Sequence, residues 1–452
     1  MIPSPISRAT NHLSTGRGII QVRALARKGK TAIFRLYRGY NRRRARNAPP
    51  ASTRQVRFLL LHANGMGGTI RTVFNLAGYL AERHDVEIVS ILKEAEEPFF
   101  PLDPRVRLRY LDDRLRPSPN PVRLLLSKLA SRLIPAEENA YHRFTLWTDL
   151  KLARFIRSVD NGVLIATRPG LNLAVAQLAH PGAITIGQEH VALRTQPDAV
   201  QKLIKWRYRR LAALVTLTKA DLRDYREALP KKPAKLVRIP NAVPPMGGQK
   251  AKLDAKVAVA VGRMTRIKGF HRLITAWQEV AETHPDWTLR ILGAGPQEDN
   301  LRAQITEAGL DGKVVLPGPT NDIGAELEKA SVFVLSSRHE GFPMTILEAM
   351  AKGLAIVSFN SPHGPKEMLT DEVDGLLVKP RTNANLAAAL QRVIDDEPLR
   401  HRLAAGALET ARTYDIATIG AQWDALFESL LARRQRAFHI VPATPSAPSD
   451  QR

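Results

Sequence analysis

The sequence predicts an α/β protein of two tandem doubly wound domains with a cleft between them. Short, apolar, β-branched runs alternate with segments of helical periodicity over most of the 452 residues. This alternation is typical of parallel sheets covered by helices on both faces. It stops once, among the turn formers of residues 239–248, and then begins again. Because a chain of this length has room for two or three domains, we predict one domain on each side of that interruption.

The predicted boundaries divide the chain into five parts. Residues 1–52 are a basic tail that we expect to be disordered, and residues 53–245 and 246–416 are the two domains. A C-terminal helix follows over residues 417–436. The last part, residues 437–452, is rich in Pro, Ser and Ala and is expected to be disordered.

The first domain begins with a strand over residues 56–61 and a glycine-rich loop. Gly67 and Gly68 separate this strand from a helical stripe, and Thr69 is the predicted cap of that helix. Glycines here allow close approach to an anion at a helix N-terminus, although many strand-to-helix turns contain them only to change direction. Further strands are predicted at residues 86–90, 163–165, 183–186 and 213–217.

Two segments of the first domain, residues 122–133 and 200–215, combine apolar and basic residues at helical spacing. Each is either a helix whose apolar side faces the core while its basic side lies in water, or a helix that docks on an anionic membrane. We predict the core-facing arrangement for both.

The second domain begins with a strand over residues 257–261 that runs into a cationic loop. Gly262 ends this strand, and Arg263 and Lys268 follow on the loop. Cations at the carboxyl end of a strand are suited to a pyrophosphate, although in a basic protein they also occur as ordinary surface charges. Strands are predicted over residues 289–292, 314–316, 332–335 and 355–359, and helices over residues 384–395 and 417–432.

Residues 336–353 carry two carboxylates, Glu340 in a loop after a buried strand and Glu348 in the helix that follows. Pro343 suits the first position of that helix and Gly353 its end. Glu348 has an alternative interpretation as a solvated partner of Lys352, four residues on. The loop at the carboxyl end of a strand is where open α/β sheets bind ligands, which favours a functional role for both carboxylates.

Composition restricts the function classes. Cysteine is absent, which excludes disulfides, thiolate metal sites and a Cys nucleophile. No apolar run is long enough to span a membrane and no secretory signal is recognisable, so we expect a cytoplasmic protein. The formal net charge is +24, and residues 1–55 hold thirteen Lys or Arg and no acid. This tail is either a solvated arm or an attachment to an anionic membrane or to nucleic acid.

In this order and at these strand ends, the glycine turn, the cationic loop and the paired carboxylates resemble the family 4 retaining glycosyltransferases of the GT-B fold. Glycogen synthases and phosphatidylinositol mannosyltransferases are related to that group. The resemblance covers roughly residues 54–432 and is most specific in Glu-Gly-Phe-Pro followed by Glu-Ala-Met. It implies two Rossmann-like domains, the first on the acceptor side and the second binding the nucleotide sugar, with the C-terminal helix returning to the first.

The resemblance assigns roles to four residues of the carboxylate segment. Glu348 is expected to hold the ribose hydroxyls of the donor nucleotide. Glu340 is expected beside the hydroxyls of the transferred sugar, with the amides of Gly341 and Phe342 nearby.

The remaining roles follow from the same resemblance. Arg263 and Lys268 are expected to bind the diphosphate as it leaves, and Gly67 and Gly68 to close over the same phosphates. No metal and no cofactor is implied, because these cations supply the charge that a divalent ion supplies elsewhere. The family also places a histidine at the end of a first-domain strand. His190 fits that position and is the predicted catalytic histidine, with Glu189 to orient it.

The sequence therefore predicts a metal-independent retaining hexosyltransferase. The donor is a UDP or GDP sugar, and the acceptor a cell-envelope glycan, an anionic polymer or a lipid at the inner membrane face. Same-fold alternatives are a phosphorylase or an epimerase acting on a nucleotide sugar. Nucleic-acid binding through the basic tail is the alternative from another class. It is not expected, because the basic residues are not interleaved with stacking aromatics.

Overall fold

The computed structural model describes residues 52–233, 235–361 and 363–439. Residues 1–51, which form nearly all of the predicted basic tail, and residues 440–452 lie outside the described part. The interpretations that rest on the basic tail therefore remain predictions. No helix in the described part is long and apolar enough to cross a membrane.

The first domain contains a seven-stranded parallel sheet in the order β3-β2-β1-β4-β5-β6-β7. Its strands are β1 Gln55–His62, β2 Asp85–Lys93, β3 Arg107–Asp113, β4 Val163–Ala166, β5 Ile184–Gln188, β6 Ala213–Thr216 and β7 Lys235–Arg238. The helices of this domain are α1 Gly68–Leu80, α2 Pro121–Ser127, α3 Leu146–Ser158, α4 Pro169–Leu178, α5 Asp198–Arg207 and α6 Lys219–Ala228.

The second domain contains a six-stranded parallel sheet in the order β10-β9-β8-β11-β12-β13. Its strands are β8 Val257–Val261, β9 Thr288–Leu292, β10 Val314–Gly318, β11 Val332–Leu335, β12 Ala355–Phe359 and β13 Leu376–Val378. Its helices are α7 Phe270–Thr283, α8 Glu298–Glu307, α9 Ile323–Glu328, α10 Met344–Lys352, α11 Gly364–Met368, α12 Asn383–Asp395 and α13 Glu397–Arg412. The final helix, α14, spans Ile416–His439.

Both sheets are buried on two faces, which confirms the predicted fold class of two doubly wound α/β domains with a cleft between them. Strand β1 illustrates the alternation of side chains. Phe58 and Leu60 belong to one buried apolar cluster, whereas Leu59 and Leu61 belong to another. The first of these clusters continues through α1, α10, α13 and α14 to the facing side of the second sheet, so one apolar core joins the two domains.

The chain passes between the domains twice, once between β7 and β8 and once between α13 and α14. The two crossings touch each other, because the Val243 amide donates to the Tyr414 carbonyl at 2.8 Å. After the second crossing α14 packs on α1 of the first domain, where the Tyr79 hydroxyl lies 3.0 Å from Asp424 Oδ2.

The structure corrects both predictions for the basic amphipathic segments. The segment from residue 200 is not one helix to residue 215, because α5 ends at Arg207 and the fully buried β6 begins at Ala213. Helix α5 still buries Val200 and Ile204, as a core-facing helix should. In the other segment, α2 is only seven residues long and has no buried residue, so its predicted core-facing arrangement is wrong.

Candidate active site

A cleft of about 800 Å³ lies between the domains, at the carboxyl ends of strands from both sheets. Its first-domain wall includes the loop after β1 and His190, which lies two positions after the end of β5. Its second-domain wall includes the loops after β8, β9 and β11. All nine residues predicted from the sequence line this one cleft: Gly67, Gly68, His190, Arg263, Lys268, Glu340, Gly341, Phe342 and Glu348.

The glycine turn places the N-terminus of α1 against the cleft. Helix α1 begins at Gly68 with Gly67 in the cap position, so the predicted cap Thr69 lies inside the first turn instead. No side chain caps this end, and the amides of its first turn are oriented for an anion. A Cβ atom on Gly68 would lie 3.2 Å from Met344 Cγ, so glycine permits the close approach of α1 to α10 across the cleft.

The cationic loop after β8 presents its two predicted residues differently. Lys268 Nζ donates to Glu340 Oε1 at 2.6 Å, in a pair that is largely buried. Arg263 is exposed at the cleft wall. Its charge also reaches His62 at the end of β1, whose pKa falls to about 4 because of burial, with smaller contributions from cations that include Arg143 and Arg263. Arg263 forms no salt bridge with another described residue, so its charge is open to the cleft, whereas the charge of Lys268 is paired with Glu340.

Glu348 is 3% exposed, and its partner comes from the other domain. Its Oε1 accepts from Arg71 Nη1 of α1 at 2.7 Å. The alternative pairing with Lys352 is wrong, because Lys352 Nζ instead donates to the carbonyl of Gln249 at 2.7 Å and to the carbonyl of Gly247. Burial raises the pKa of Glu348, and the positive charge of Arg71 opposes that rise.

Arg71 is a cleft residue that the sequence did not single out. Its guanidinium lies 5.4 Å from the centre of the Phe100 ring and donates to Met246 Sδ at 3.4 Å in addition to pairing with Glu348. Arg71 and Glu348 are 277 positions apart in the chain. The only local signal was the position of Arg71 in the first turn of the helix after the glycine loop.

The segment from Glu340 to Phe342 meets the first domain closely. A Cβ atom on Gly341 would lie 3.0 Å from the His190 carbonyl oxygen, so only glycine fits without displacing that backbone. The Phe342 ring is buried and packs edge-on against Tyr414 with 5.9 Å between ring centres. Because the ring is held against Tyr414, the backbone amide of Phe342 is the group available to a ligand in the cleft. The helix after this segment starts at Met344 with Pro343 in the cap position, one residue later than predicted.

His190 lines the cleft, and its Nε2 is buried with no hydrogen-bond partner among the described residues. Burial lowers the pKa of His190 to about 4, so the imidazole is neutral at pH 7. Glu189 does not orient it. The Glu189 carboxylate instead accepts from Asn172 Nδ2 at 2.9 Å and from the Tyr208 hydroxyl. Burial raises the pKa of Glu189 to about 7.

Two further polar residues of the cleft were missed as site residues. Asn241 is 3% exposed, and its Oδ1 has no partner in the described part of the chain. Thr345 Oγ1, in the first turn of α10, is likewise buried and unpaired there. Buried polar atoms without partners are rare and indicate a place where a ligand can bind. Asn241 had a weak sequence signal, since it lies in the Pro-Asn-Ala-Val segment between the domains.

Comparison with known proteins adds a family match. Residues 247–410 match the family described as glycosyl transferases group 1. This range contains six of the nine predicted site residues, all on the second-domain wall: Arg263, Lys268, Glu340, Gly341, Phe342 and Glu348. The resemblance and the GT-B fold predicted from the sequence are confirmed.

Two relatives align along most of the chain. The exopolysaccharide phosphotransferase of Streptomyces coelicolor is 36% identical over 390 residues, which are 84% of this chain and 41% of that protein. The chain thus spans less than half the length of this relative. The amylovoran biosynthesis glycosyltransferase AmsD of Erwinia amylovora is 26% identical over 371 residues, which are 79% of this chain and 95% of that protein.

A solved structure shares the fold. A mutant of S. aureus TarM in complex with fondaparinux, α-GlcNAc-glycerol and UDP superposes with a TM-score of 0.68 at 16% identity. The match covers 83% of this chain and 100% of that one. At this identity the similarity shows the fold alone.

Proposed function

We propose that the protein is a retaining hexosyltransferase, because residues 247–410 match the group 1 glycosyltransferases and the chain has the GT-B fold. It moves a hexose from a nucleoside diphosphate sugar to a cell-envelope acceptor. The observation that carries the proposal is the meeting of all nine predicted residues in one cleft. Its walls offer both cations for a diphosphate and carboxylates for sugar hydroxyls.

The diphosphate is bound between the two domains. The amides at the N-terminus of α1, beginning at Gly67 and Gly68, face one side of it. Arg263 and Lys268 face the other side and stabilise the negative charge that grows on the leaving nucleotide. This concentration of positive charge is the basis for proposing that the transfer needs neither a metal nor a cofactor.

The two carboxylates bind different parts of the donor. Glu348 accepts hydrogen bonds from the ribose hydroxyls, for which the buried carboxylate must first release Arg71. Glu340 and the amides of Gly341 and Phe342 bind the hydroxyls of the transferred hexose. Both cations now paired with these carboxylates, Arg71 and Lys268, become available to the diphosphate when the donor enters.

His190 acts as a neutral hydrogen-bond donor to the hexose. Its Nε2 is unpaired and its depressed pKa keeps it uncharged at pH 7, so it stabilises the sugar without competing with Arg263 for the diphosphate. Transfer with retention breaks the bond between the anomeric carbon and the diphosphate oxygen. The acceptor oxygen attacks from the same face, and its proton leaves with the nucleotide phosphate.

The acceptor is proposed from the names of the relatives. One relative is named an exopolysaccharide phosphotransferase and the other an amylovoran biosynthesis glycosyltransferase. From these names we infer a growing cell-envelope glycan, an anionic polymer or a lipid-linked sugar at the inner face of the membrane.

A donor panel tests the proposal. UDP-glucose, UDP-N-acetylglucosamine and GDP-mannose are titrated into the purified chain, and slow hydrolysis of each is followed without acceptor. One donor should bind and hydrolyse, and Arg263→Gln and Lys268→Gln should each weaken its binding about tenfold. The matched control is Arg266→Gln, an exposed cation of the same loop outside the cleft lining.

Three results would contradict the proposal. The first is that no donor binds, and the second is that Arg266→Gln weakens binding as much as Arg263→Gln. The third is that turnover occurs only with inorganic phosphate as acceptor, which would identify a phosphorylase.

A further inference from the structure

The first domain exposes an apolar surface that the cleft does not use. Its residues come from α2, from the loop after α2 and from α5, and their side chains are between 37% and 65% exposed. We call this the α2/α5 surface. Its apolar members are Val122, Leu124, Leu125, Leu129, Leu203 and Trp206.

A groove of about 740 Å³ shows that α5 and the chain after α2 lie side by side. Leu129 and Arg132 line it from the chain after α2, and Leu203 and Arg207 line it from α5. Trp206 lies three positions after Leu203 and thus on the same side of α5. Leu129, Leu203 and Trp206 therefore lie on neighbouring segments, and Val122, Leu124 and Leu125 lie on the helix that leads into Leu129.

The charge of this surface has a single sign. Residues 114–136 and 199–220 contain no Asp or Glu, while residues 123–132 and 199–212 together hold eight Lys or Arg. Lys128, Arg132 and Lys202 are exposed. None of these three forms a salt bridge with another described residue. These three cations thus lie beside the apolar side chains without an acidic partner in the described part of the chain, whereas Arg123 of α2 pairs with Asp112.

We propose that the α2/α5 surface docks the protein on an anionic lipid bilayer. Exposed Leu and Trp side chains among Lys and Arg are the composition of segments that lie in a membrane interface. Protein interfaces are instead depleted in Lys. Nucleic acid would be attracted by the cations, but the row of aliphatic side chains has no counterpart on a phosphate backbone.

The position of α2 relates the surface to the cleft. Arg123 of α2 pairs with Asp112 Oδ1 at 3.1 Å and donates to the carbonyl of Asp113, at the carboxyl end of β3. The carboxyl ends of all seven strands lie at one edge of the sheet, so α2 lies at the same edge as His190, with β2, β1 and β4 between β3 and β5. A lipid-linked acceptor in the docked membrane would then present its head group on the side of the first domain that faces the cleft. This inference rests on the proposed function only for that acceptor.

Vesicle binding by the full chain tests the proposal. The vesicles are phosphatidylcholine alone and phosphatidylcholine with about one third phosphatidylglycerol. The double variant Lys128→Gln with Lys202→Gln should bind the anionic vesicles about 25-fold more weakly, at about fivefold for each lost charge. The matched control, Lys250→Gln with Lys252→Gln, removes two exposed cations of the segment between the domains and should bind normally.

The apolar contribution is measured at high salt, where purely electrostatic attachment by the basic tail is screened. Leu125→Ser with Trp206→Ser should reduce the remaining binding at least tenfold. Val373→Ser, at a residue 55% exposed in the second domain, is the matched control. Brominated lipids should quench Trp206 in the unmodified chain, and this quenching should disappear in Trp206→Phe.

The proposal is overturned if the surface variants bind vesicles as the unmodified chain does, or if brominated lipids quench both chains equally. It is also overturned if Leu125→Ser abolishes a dimer in solution while vesicle binding is unchanged, since the surface would then join two copies. Nucleotide binding without vesicles is measured in every variant. If the surface variants bind both nucleotide and vesicles as the unmodified chain does, only the membrane proposal fails. If no nucleotide binds the unmodified chain, only the proposed function fails.

Discussion

Replacing Glu348 by Gln should weaken the binding of a plain nucleoside, because the ribose loses a buried ionised acceptor. A hydrogen bond to a charged group contributes about 1.5–3 kcal/mol and a neutral one about 0.5–1.5 kcal/mol. Two ribose hydroxyls bound by one carboxylate therefore lose about 2–3 kcal/mol. The substitution also removes a cost. In the unmodified protein the 2.7 Å ion pair of Glu348 with Arg71 must break before the ribose binds, and Glu348→Gln does not form that pair.

The offset is about 1 kcal/mol for a pair that is buried on one side and open to the cleft on the other. Nucleoside binding by Glu348→Gln should then be weaker by about 1–2 kcal/mol, or about 5–30-fold in Kd. Arg71→Met should have the opposite effect, tightening nucleoside binding about fivefold, since nothing then competes with the ribose.

The assay is isothermal titration of the nucleoside whose diphosphate sugar binds best in the donor panel. It is run near pH 8.5, because loss of Arg71 raises the pKa of Glu348 further and the carboxylate must remain ionised. Arg266→Gln and Glu409→Gln, both at exposed positions, are the controls. Unchanged nucleoside affinity in Glu348→Gln would refute the ribose assignment. Weaker nucleoside binding in Arg71→Met would refute the competition.

Three other substitutions have expected outcomes. Glu340→Gln should lower turnover about 100-fold while nucleotide Kd changes by less than about threefold, as steady-state kinetics and titration would show. Gly341→Ala should destabilise the unliganded protein by about 1 kcal/mol in thermal unfolding, because its Cβ meets the His190 carbonyl, whereas Gly67→Ala, with no heavy atom within 4 Å, should not. Glu189 has a folded pKa of about 7, above its unfolded value of 4.5, so it contributes stability that is full below pH 4.5 and lost as pH rises through 7. Urea unfolding of Glu189→Gln should lack that loss of about 3 kcal/mol.

Much of the fold could be predicted because both sheets are parallel and buried. Runs such as Val332–Leu335 are short, apolar throughout and β-branched, which is typical of interior strands. Strand β3, Arg107–Asp113, was not predicted. It lies at the edge of its sheet, where half-exposed charged positions remove the apolar signal. The helix predicted to run from residue 200 to 215 failed for another reason. Its last residues overlapped the strand predicted at residues 213–217, and the structure contains that strand, as β6 between β5 and β7.

The sequence predicted where the site residues lie, because they follow the ends of strands. It did not predict which side chains pair with each other. Glu340 and Glu348 were found because each belongs to one local segment at the end of β11. Arg71 was missed, since its importance depends on a contact with a residue of the other domain. Glu189 was assigned to His190 as its neighbour in sequence, but successive residues after a strand point in different directions, and the carboxylate turns into the first-domain core.

The hydrogen bond between Val243 and Tyr414 has a mechanical consequence. Because the two chain crossings meet at this point, the domains share a single pivot and can rotate about it more easily than they can slide past each other. Rotation preserves the internal geometry of each domain. Lys268, Glu340 and Glu348 would thus keep their arrangement while the distance to His190 changes. Substitutions at the pivot should accordingly alter the rate of transfer and the contacts that α1 and Arg71 make with the nucleotide, while the arrangement of Lys268, Glu340 and Glu348 stays intact.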